Sequence, residues 1–369
     1  MNKTTKSLHA KANVTNDAPT ATPIYQASAF EADSDYFYTR NDNPNSNEFE
    51  QALAILEETK YALSVTTGMA AINIVLNLLK PGQTLLINKH LYGCSFKLFQ
   101  WFCDNYNIEL VVADLSKEKN WENLPKVDMV LFETPTNPFL YTINIAKLAK
   151  EIRSKNKNAL VVVDNTWATP YYQKPCAMGA DISLHSATKY LSGHSDVMGG
   201  IVLTNKAKLY EKLRSLRFYF GNILPPFSAW LLRRSLFTLE IRLEQHQRTT
   251  NELLDFIRER PEVKKLYYPD IDGKQLTGYP TLIFFELAEK WKDKYKTFSQ
   301  NLSLFSTGTG MACVTSMVAQ PFSGSHASMN DTEKYAIDLT PALVRLSFGM
   351  ENSADLKTDL TKAFNAINP

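Results

Sequence analysis

The sequence predicts an α/β fold: a mostly parallel sheet with helices on both faces, plus a smaller α+β C-terminal domain. Three observations carry this. From residue 84 to 203, short apolar runs alternate with helical stretches. Those runs are continuously apolar, as expected of strands buried on both faces. Beyond residue 203 the alternation stops and gives way to a long helical stretch and a mixed remainder. The 369 residues suffice for a sizeable core without disulfide or metal staples.

In chain order, residues 1–45 are rich in Asn, Asp, Thr, Ser and Pro without periodicity, and read as an extended arm. A large domain is expected over 46–227. It opens with Phe49, Ala52, Leu53 and Leu56 at helical spacing, and a second helix follows over 68–79. Strands are expected at 84–88, 108–113, 127–133, 160–164, 181–185 and 200–203, with helices between them at 94–105 and 143–154. The third segment, 228–369, begins with one long linking helix to about residue 258, which stops before Pro261. Strand-like runs at 281–287 and 343–348 and a last helix at 354–367 complete the smaller domain.

Composition narrows the partners. Lys+Arg number 40 against 38 Asp+Glu, a net charge of +2. That balance removes the electrostatic argument for nucleic acid or an anionic membrane surface as partner. The four cysteines form no C-x-x-C pair and have no His cluster at zinc spacing, so no metal is expected. Free thiols, a polar start without a signal-peptide core, and no apolar run of about 18 residues lead to the expectation of a cytoplasmic protein.

The chemistry concentrates between Val161 and Asp196. Asp164 closes one apolar strand, and a lone Lys189 follows a second strand together with Ser186 and Thr188. If both strands are parallel, acid and amine emerge at the same sheet edge, where such sheets bind ligands. A Lys, hydroxyls and an Asp one strand away form the set that pyridoxal 5'-phosphate (PLP) needs. The amine condenses with the aldehyde, the carboxylate keeps the ring nitrogen protonated, and the hydroxyls meet the phosphate. The same residues also admit a plainer reading, with the Asp a helix cap and the Lys a solvated surface group.

The stretch Ser186-Ala-Thr-Lys-Tyr-Leu-Ser-Gly-His-Ser-Asp196, preceded by Asp164-Asn-Thr166, resembles the cofactor-lysine signature of the Cys/Met-metabolism (trans-sulfuration) pyridoxal-phosphate enzymes. Further motifs match in order: Tyr38-Thr-Arg40 with Asn43-Pro44, Thr67-Gly-Met-Ala-Ala-Ile72, Leu91-Tyr-Gly-Cys94, Glu133-Thr-Pro-Thr-Asn-Pro138 and Leu343-Val-Arg-Leu-Ser347. The resemblance runs from about residue 23 to 367 and implies the fold-type I aminotransferase-like architecture. It implies that Lys189 and Tyr92 are catalytic. It further implies that Tyr38, Arg40, Gly68, Met69, Tyr92, Asn137, Asp164, Ser186, Thr188 and Lys189 bind the cofactor, with Glu133 near its hydroxyl. Arg345, Ser316 and Cys94 would bind substrate. Taken alone, Tyr92 reads sooner as a packed core or surface ring, and Arg345 as one half of an ion pair with a protein acid; the resemblance is what assigns them to the site.

In the resembled family the arm reaches a neighbouring subunit and grips its cofactor phosphate. Tyr38 and Arg40 would do so here, in a homodimer or homotetramer. The implied reaction is γ-elimination from a small sulfur-containing or related γ-substituted amino acid, as in methionine γ-lyase. The alternatives are γ-replacement, as in cystathionine γ-synthase or O-acylhomoserine sulfhydrylase, and cystathionine β- or γ-lysis. Cys94 is the form seen in methionine γ-lyases, and no Glu stands between Ser316 and Ser328 to receive a distal amino group. The chain departs from the pattern at Asn43-Pro-Asn45, Arg234-Ser-Leu236 and Ser316-Met-Val-Ala-Gln-Pro321, and after Tyr268-Pro269 the smaller domain is shortened.

Overall fold

A computed structural model describes residues 2–10 and 19–368; the part of the arm at 11–18 lies outside the described residues. The larger sheet has seven strands: β1 (Tyr61–Val65), β2 (Thr84–Asn88), β3 (Glu109–Ala113), β4 (Met129–Glu133), β5 (Leu160–Asp164), β6 (Ile182–Ser186) and β7 (Gly200–Thr204). Their spatial order is β1-β7-β6-β5-β4-β2-β3. Strand β7 runs antiparallel to both neighbours, and the other adjacent pairs are parallel.

Alternation within the inner strands buries both faces, while β3 at the edge is partly exposed. Leu85, Ile87, Leu131 and Val162 point to a cluster shared with Ile72, Val75 and Phe99, beneath helices Gly68–Leu76 and Gly93–Tyr106. Leu86, Val130, Phe132, Val161 and Val163 point the other way, against Leu148 and Ile152 of helix Ile145–Lys155. The mostly parallel, doubly covered sheet predicted from the apolar runs is therefore present.

Three sequence expectations need correction. Residues 61–67 carried no strand, yet Tyr61–Val65 forms β1 against β7. Ser64 interrupts the apolar run, and its N–H and hydroxyl are satisfied by the buried Glu50 carboxylate, each at 2.7 Å. The long linking helix is two helices, Pro226–Leu236 and Leu239–Arg258. The carbonyl of Ser235, freed at the break, accepts from Arg242 Nη2 at 2.9 Å, and Thr238 Oγ1 accepts from Arg242 Nε at 3.2 Å. The arm is not wholly extended either. Lys3–Leu8 is a short helix capped by the Asn2 side chain, and Arg233 donates to the carbonyls of Ser7, Leu8 and Ala10.

The second sheet comprises β8 (Val263–Tyr267), β9 (Leu282–Leu287), β10 (Ser306–Thr307), β11 (Met317–Ala319) and β12 (Leu343–Ser347), in the order β10-β11-β12-β9-β8. Phe285, Val344 and Leu346 pack on Phe298 and on Phe364 of helix Ser353–Ile367. Of these strands, the sequence missed β8, β10 and β11, which are exposed or only two or three residues long.

Behind the sheet edge lies a buried polar knot. Glu57, the last residue of helix Pro44–Glu57, is fully buried. Its carboxylate accepts from Ser183 Oγ at 2.6 Å, His185 Nε2 at 3.1 Å and Asn165 Nδ2 at 3.2 Å. It therefore ties that helix to β6 and to the residue after β5. Removing the acceptor strands the Ser183 hydroxyl and the His185 ring nitrogen, while Asn165 Nδ2 keeps the Gln173 carbonyl at 3.0 Å; leaving two buried groups unpaired is costly. Glu57→Ala is expected to lower stability by about 3 kcal/mol in urea unfolding. Glu57→Gln, which keeps one acceptor oxygen, should lose less; equal losses would show that these hydrogen bonds do not set the stability.

Candidate active site

The carboxyl ends of the parallel strands converge at one edge. β1 runs into Thr67, and β2 leads to Tyr92. β4 ends at Glu133, level with Asp164 at the end of β5. β6 ends at Ser186, opposite Gly200 of the returning β7, and Lys189 follows in the turn. Here lies a cavity of about 260 Å³ lined by Gly68, Met69, Tyr92, Glu133, Asn137, Asp164, Ser186, Thr188 and Lys189. Nine sequence-predicted residues, far apart in the chain, thus share one wall.

Local structure explains each placement. Thr67 caps helix Gly68–Leu76, its hydroxyl accepting from Ala70 N at 3.0 Å. The N–H groups of Gly68 and Met69 are left without intrahelical partners at the positive end of the helix dipole. A Cβ on Gly68 would lie 2.7 Å from Ser186 Cβ, so only glycine lets this helix start against β6. Tyr92 precedes helix Gly93–Tyr106, and its N–H donates to Glu133 Oε1 at 2.8 Å. Thr188 Oγ1 is engaged by the Gly199 N–H at 3.1 Å, which pins the lysine turn to the start of β7.

Burial sets the electrostatics. The Lys189 amine is pushed down to about 8, chiefly by burial and then by the Arg345 guanidinium. Burial raises the Asp164 carboxyl, and it raises Glu133 well above the carboxylate range, with Asp164 adding to the latter. The Tyr92 phenol is pushed up to about 12 by burial, then by the Cys94 thiol beside it. Arg345 is held down at about 10 by burial.

These groups fit PLP. Asp164 Oδ1 accepts from Thr166 N at 2.9 Å and from the Thr166 hydroxyl, while Oδ2 receives no hydrogen bond among the described residues. A half-buried acid with one spare oxygen suits a protonated ring nitrogen. Asn137 Oδ1 and Glu133 Oε2 are buried without hydrogen-bond partners among the described residues. The free N–H groups of the Gly68 helix and the Ser186 hydroxyl suit a phosphate.

Other predicted residues stand elsewhere. Ser316 is corrected outright: it is fully buried, donates to Glu351 Oε2 at 2.8 Å and accepts from Gly349 N at 2.9 Å. It ties β11 to the turn after β12 and does not line the cavity. Arg345 is buried behind the wall. Its Nη2 donates to the Thr309 and Gly310 carbonyls at 3.2 and 3.0 Å, with no acid in ion-pair range among the described residues. Cys94 sits beside Tyr92 without lining the cavity. Tyr38 and Arg40 lie outside it; the Arg40 guanidinium stacks 4.0 Å over the Phe218 ring.

The sequence missed Trp167, Ser95, Met198, Thr309, Met311 and Ser325 as lining residues. Trp167 follows the Asp164-Asn-Thr166 motif directly, a proximity that could have flagged it. Ser95 sits in the first turn of helix Gly93–Tyr106, and the others come from irregular connections that carry no periodic signal.

The family model for Cys/Met metabolism PLP-dependent enzymes matches residues 4–365. The chain is 36% identical to L-methionine gamma-lyase of Fusobacterium nucleatum subsp. nucleatum, over 98% of both chains. It is 36% identical to cystathionine beta-lyase of Lactococcus lactis subsp. cremoris, over 97% of this chain and 98% of the relative. Among solved structures, cystathionine gamma synthase from Xanthomonas oryzae pv. oryzae, in complex with aminoacrylate and cysteine, superposes with a TM-score of 0.95 at 33% identity, covering 100% of this chain and 99% of the other. The chain therefore belongs to the Cys/Met metabolism PLP-dependent enzyme family and is a PLP-dependent enzyme of sulfur amino-acid metabolism.

The lowered value of Lys189 has a consequence for stability. The folded value of about 8 lies below that of an exposed lysine, near 10.4. Folding therefore disfavours the proton. The penalty is complete below pH 8 and disappears as pH climbs toward 10.4. In protein freed of cofactor, Lys189→Met is expected to melt a few degrees above the parent at pH 7, and the gap should close between pH 8 and about 10.4. A gap that ignores pH would mean the amine is not desolvated.

Proposed function

We propose that the enzyme catalyses γ-elimination, as a carbon–sulfur lyase of the methionine γ-lyase type, on a sulfur-containing or related γ-substituted amino acid. One observation carries this choice. Away from the strand ends, the cavity wall is Ile72, Met198, Thr309, Met311, Gly324 and Ser325, without a charged side chain. The lining acids, Glu133 and Asp164, belong to the cofactor edge. A distal ammonium and carboxylate of the cystathionine kind would find no ion partner on that wall, whereas a short thioether matches it.

In this reading Lys189 would hold the cofactor aldehyde and Asp164 its ring nitrogen, with the Tyr92 ring available to pack against it. Gly68, Met69, Ser186 and Thr188 receive the phosphate, with Asn137 at the ring hydroxyl. Bound PLP supplies an electron-withdrawing ring that weakens the α-C–H bond of an attached amino acid. Lys189, whose lowered value makes the neutral amine accessible near pH 8, would take the α-proton, hand it on to the bound cofactor, and with its amine neutral again take a β-proton. Tyr92 retains its phenolic proton at neutral pH and is placed to give it to the departing sulfur. Arg345 receives the α-carboxylate in place of the Thr309 and Gly310 carbonyls, through its planar fork.

Tyr38 and Arg40 serve the cofactor phosphate of a second copy, in a homodimer or homotetramer. Phe37 and Tyr219 are 77% and 74% exposed, and Phe220 and Phe237 are also exposed. Apolar surface of this kind supports burial against another copy.

Methionine alone is expected to yield ammonia and 2-oxobutanoate. If O-acylhomoserine with cysteine is instead converted to a thioether while methionine is left untouched, γ-replacement is the reaction. Arg345→Lys, which keeps the charge but loses the fork, should raise KM for the amino acid by about 100-fold and leave PLP absorbance unchanged. An unaltered KM would remove Arg345 from the substrate site.

A further inference from the structure

Tyr92 is held from two sides, and the second holder is a residue that the mechanism does not use. Its own N–H donates to Glu133 Oε1 at 2.8 Å. The preceding carbonyl, Leu91 O, lies 3.1 Å from His326 Nε2. His326 is fully buried and comes from the loop between β11 and β12, so this contact spans the two sheets. We propose that His326 is a positioning residue: its Nε2–H latches the Leu91 carbonyl and fixes the turn that presents Tyr92 to the cavity.

The hydrogen-bond pattern leaves one consistent tautomer. A carbonyl only accepts, so Nε2 carries the proton. Burial pushes the ring down to about 4, outweighing the Leu91 and Asn137 backbone carbonyls that pull it up, with Arg345 and Lys334 acting in the same direction as burial, so the imidazole is neutral and Nδ1 is bare. Ser325 Oγ, 3.0 Å from Nδ1, must then donate to it. Ser325 lines the cavity with its only hydroxyl proton committed, so that oxygen faces substrate as an acceptor.

Packing supports the same contact. A Cβ on Gly93, the residue after Tyr92, would sit 2.9 Å from His326 Cα and 3.0 Å from Ser325 O. The two segments meet backbone to backbone, with no room for a methyl group. Around this contact, Lys97 pairs with Glu333, and Lys89 pairs with Asp338 at 2.9 Å. Asp338 and Lys97 are partly or largely exposed, so these pairs hold the segment only weakly. The buried imidazole bond is the sharper locator.

The functional meaning of the latch rests on the proposed role of Tyr92, but the latch can be read without activity. Amide hydrogen exchange of the peptide over residues 89–97 is measured in the full-length, PLP-loaded protein. His326→Leu is expected to speed exchange there by about tenfold or more, with the other strands of the large sheet unchanged. His326→Gln, whose amide nitrogen can take the Nε2 position, should restore slow exchange. Gly93→Ala wedges the contact from the other side, keeps the histidine and favours its helix, and should match His326→Leu. The fast-exchanging variants should also lose about tenfold or more in kcat/KM with PLP absorbance intact. Parent-like exchange in His326→Leu or Gly93→Ala overturns the latch, as does a Gln variant no better than the Leu variant. If His326→Leu does not fold, the Gly93→Ala and His326→Gln pair decides. A parent protein that turns over no amino acid while the exchange pattern holds defeats the functional reading and leaves the latch standing.

Discussion

An amine kept out of water without an acid in ion-pair range cannot hold its proton tightly, and the site is organised around that fact. Lys189 stands at the rim of a sheet whose interior excludes water, and the charge that acts on its amine, Arg345, is of the same sign. The acids at that rim, Asp164 and Glu133, are themselves desolvated and drawn toward their neutral forms. The edge is thus electrostatically unsatisfied in complementary ways. A ligand with an electrophilic carbon, a basic ring nitrogen and a dianionic tail relieves each deficiency at once. The free helix N–H groups at Gly68 and Met69 complete the match.

Most of the cofactor edge was legible in the sequence because parallel topology turns sequence order into proximity. Once the runs ending at Glu133, Asp164 and Ser186 are read as parallel strands, their ends must share an edge, and the residues just past them must face one crevice. Runs buried on both faces give a strong signal. Strand β1 broke that rule because it needs a polar residue, Ser64, to meet Glu50. The break between Leu236 and Leu239 has no Gly or Pro to mark it. It is held by Arg242 from the first turn of the following helix, through side-chain hydrogen bonds that hydrophobic periodicity does not report.

The substrate side was far less legible. Thr309, Met311, Gly324 and Ser325 come from loops of the smaller domain, where the chain leaves its family's pattern. The position of Ser316 shows the hazard. A residue matched by motif proved to serve a turn inside its own domain, because Glu351 and Gly349 claim its hydroxyl. Arg345 was rightly expected to need partners, but those it has are carbonyl oxygens. Such partners hold a guanidinium in place without neutralising it, so the positive charge survives for an incoming anion.

The reversed direction of β7 has an architectural consequence. Strands β6 and β7 are neighbours, so the excursion bearing Lys189 departs from and rejoins the same rim, at Ser186 and Gly200. Parallel neighbours would have required a crossover spanning the whole sheet, and its slack would have passed to the amine. As built, the lysine rides a short staple clamped at both feet. Insertions within that staple would displace the nucleophile itself, whereas the connections that shape the substrate wall can lengthen or shorten at little cost to it.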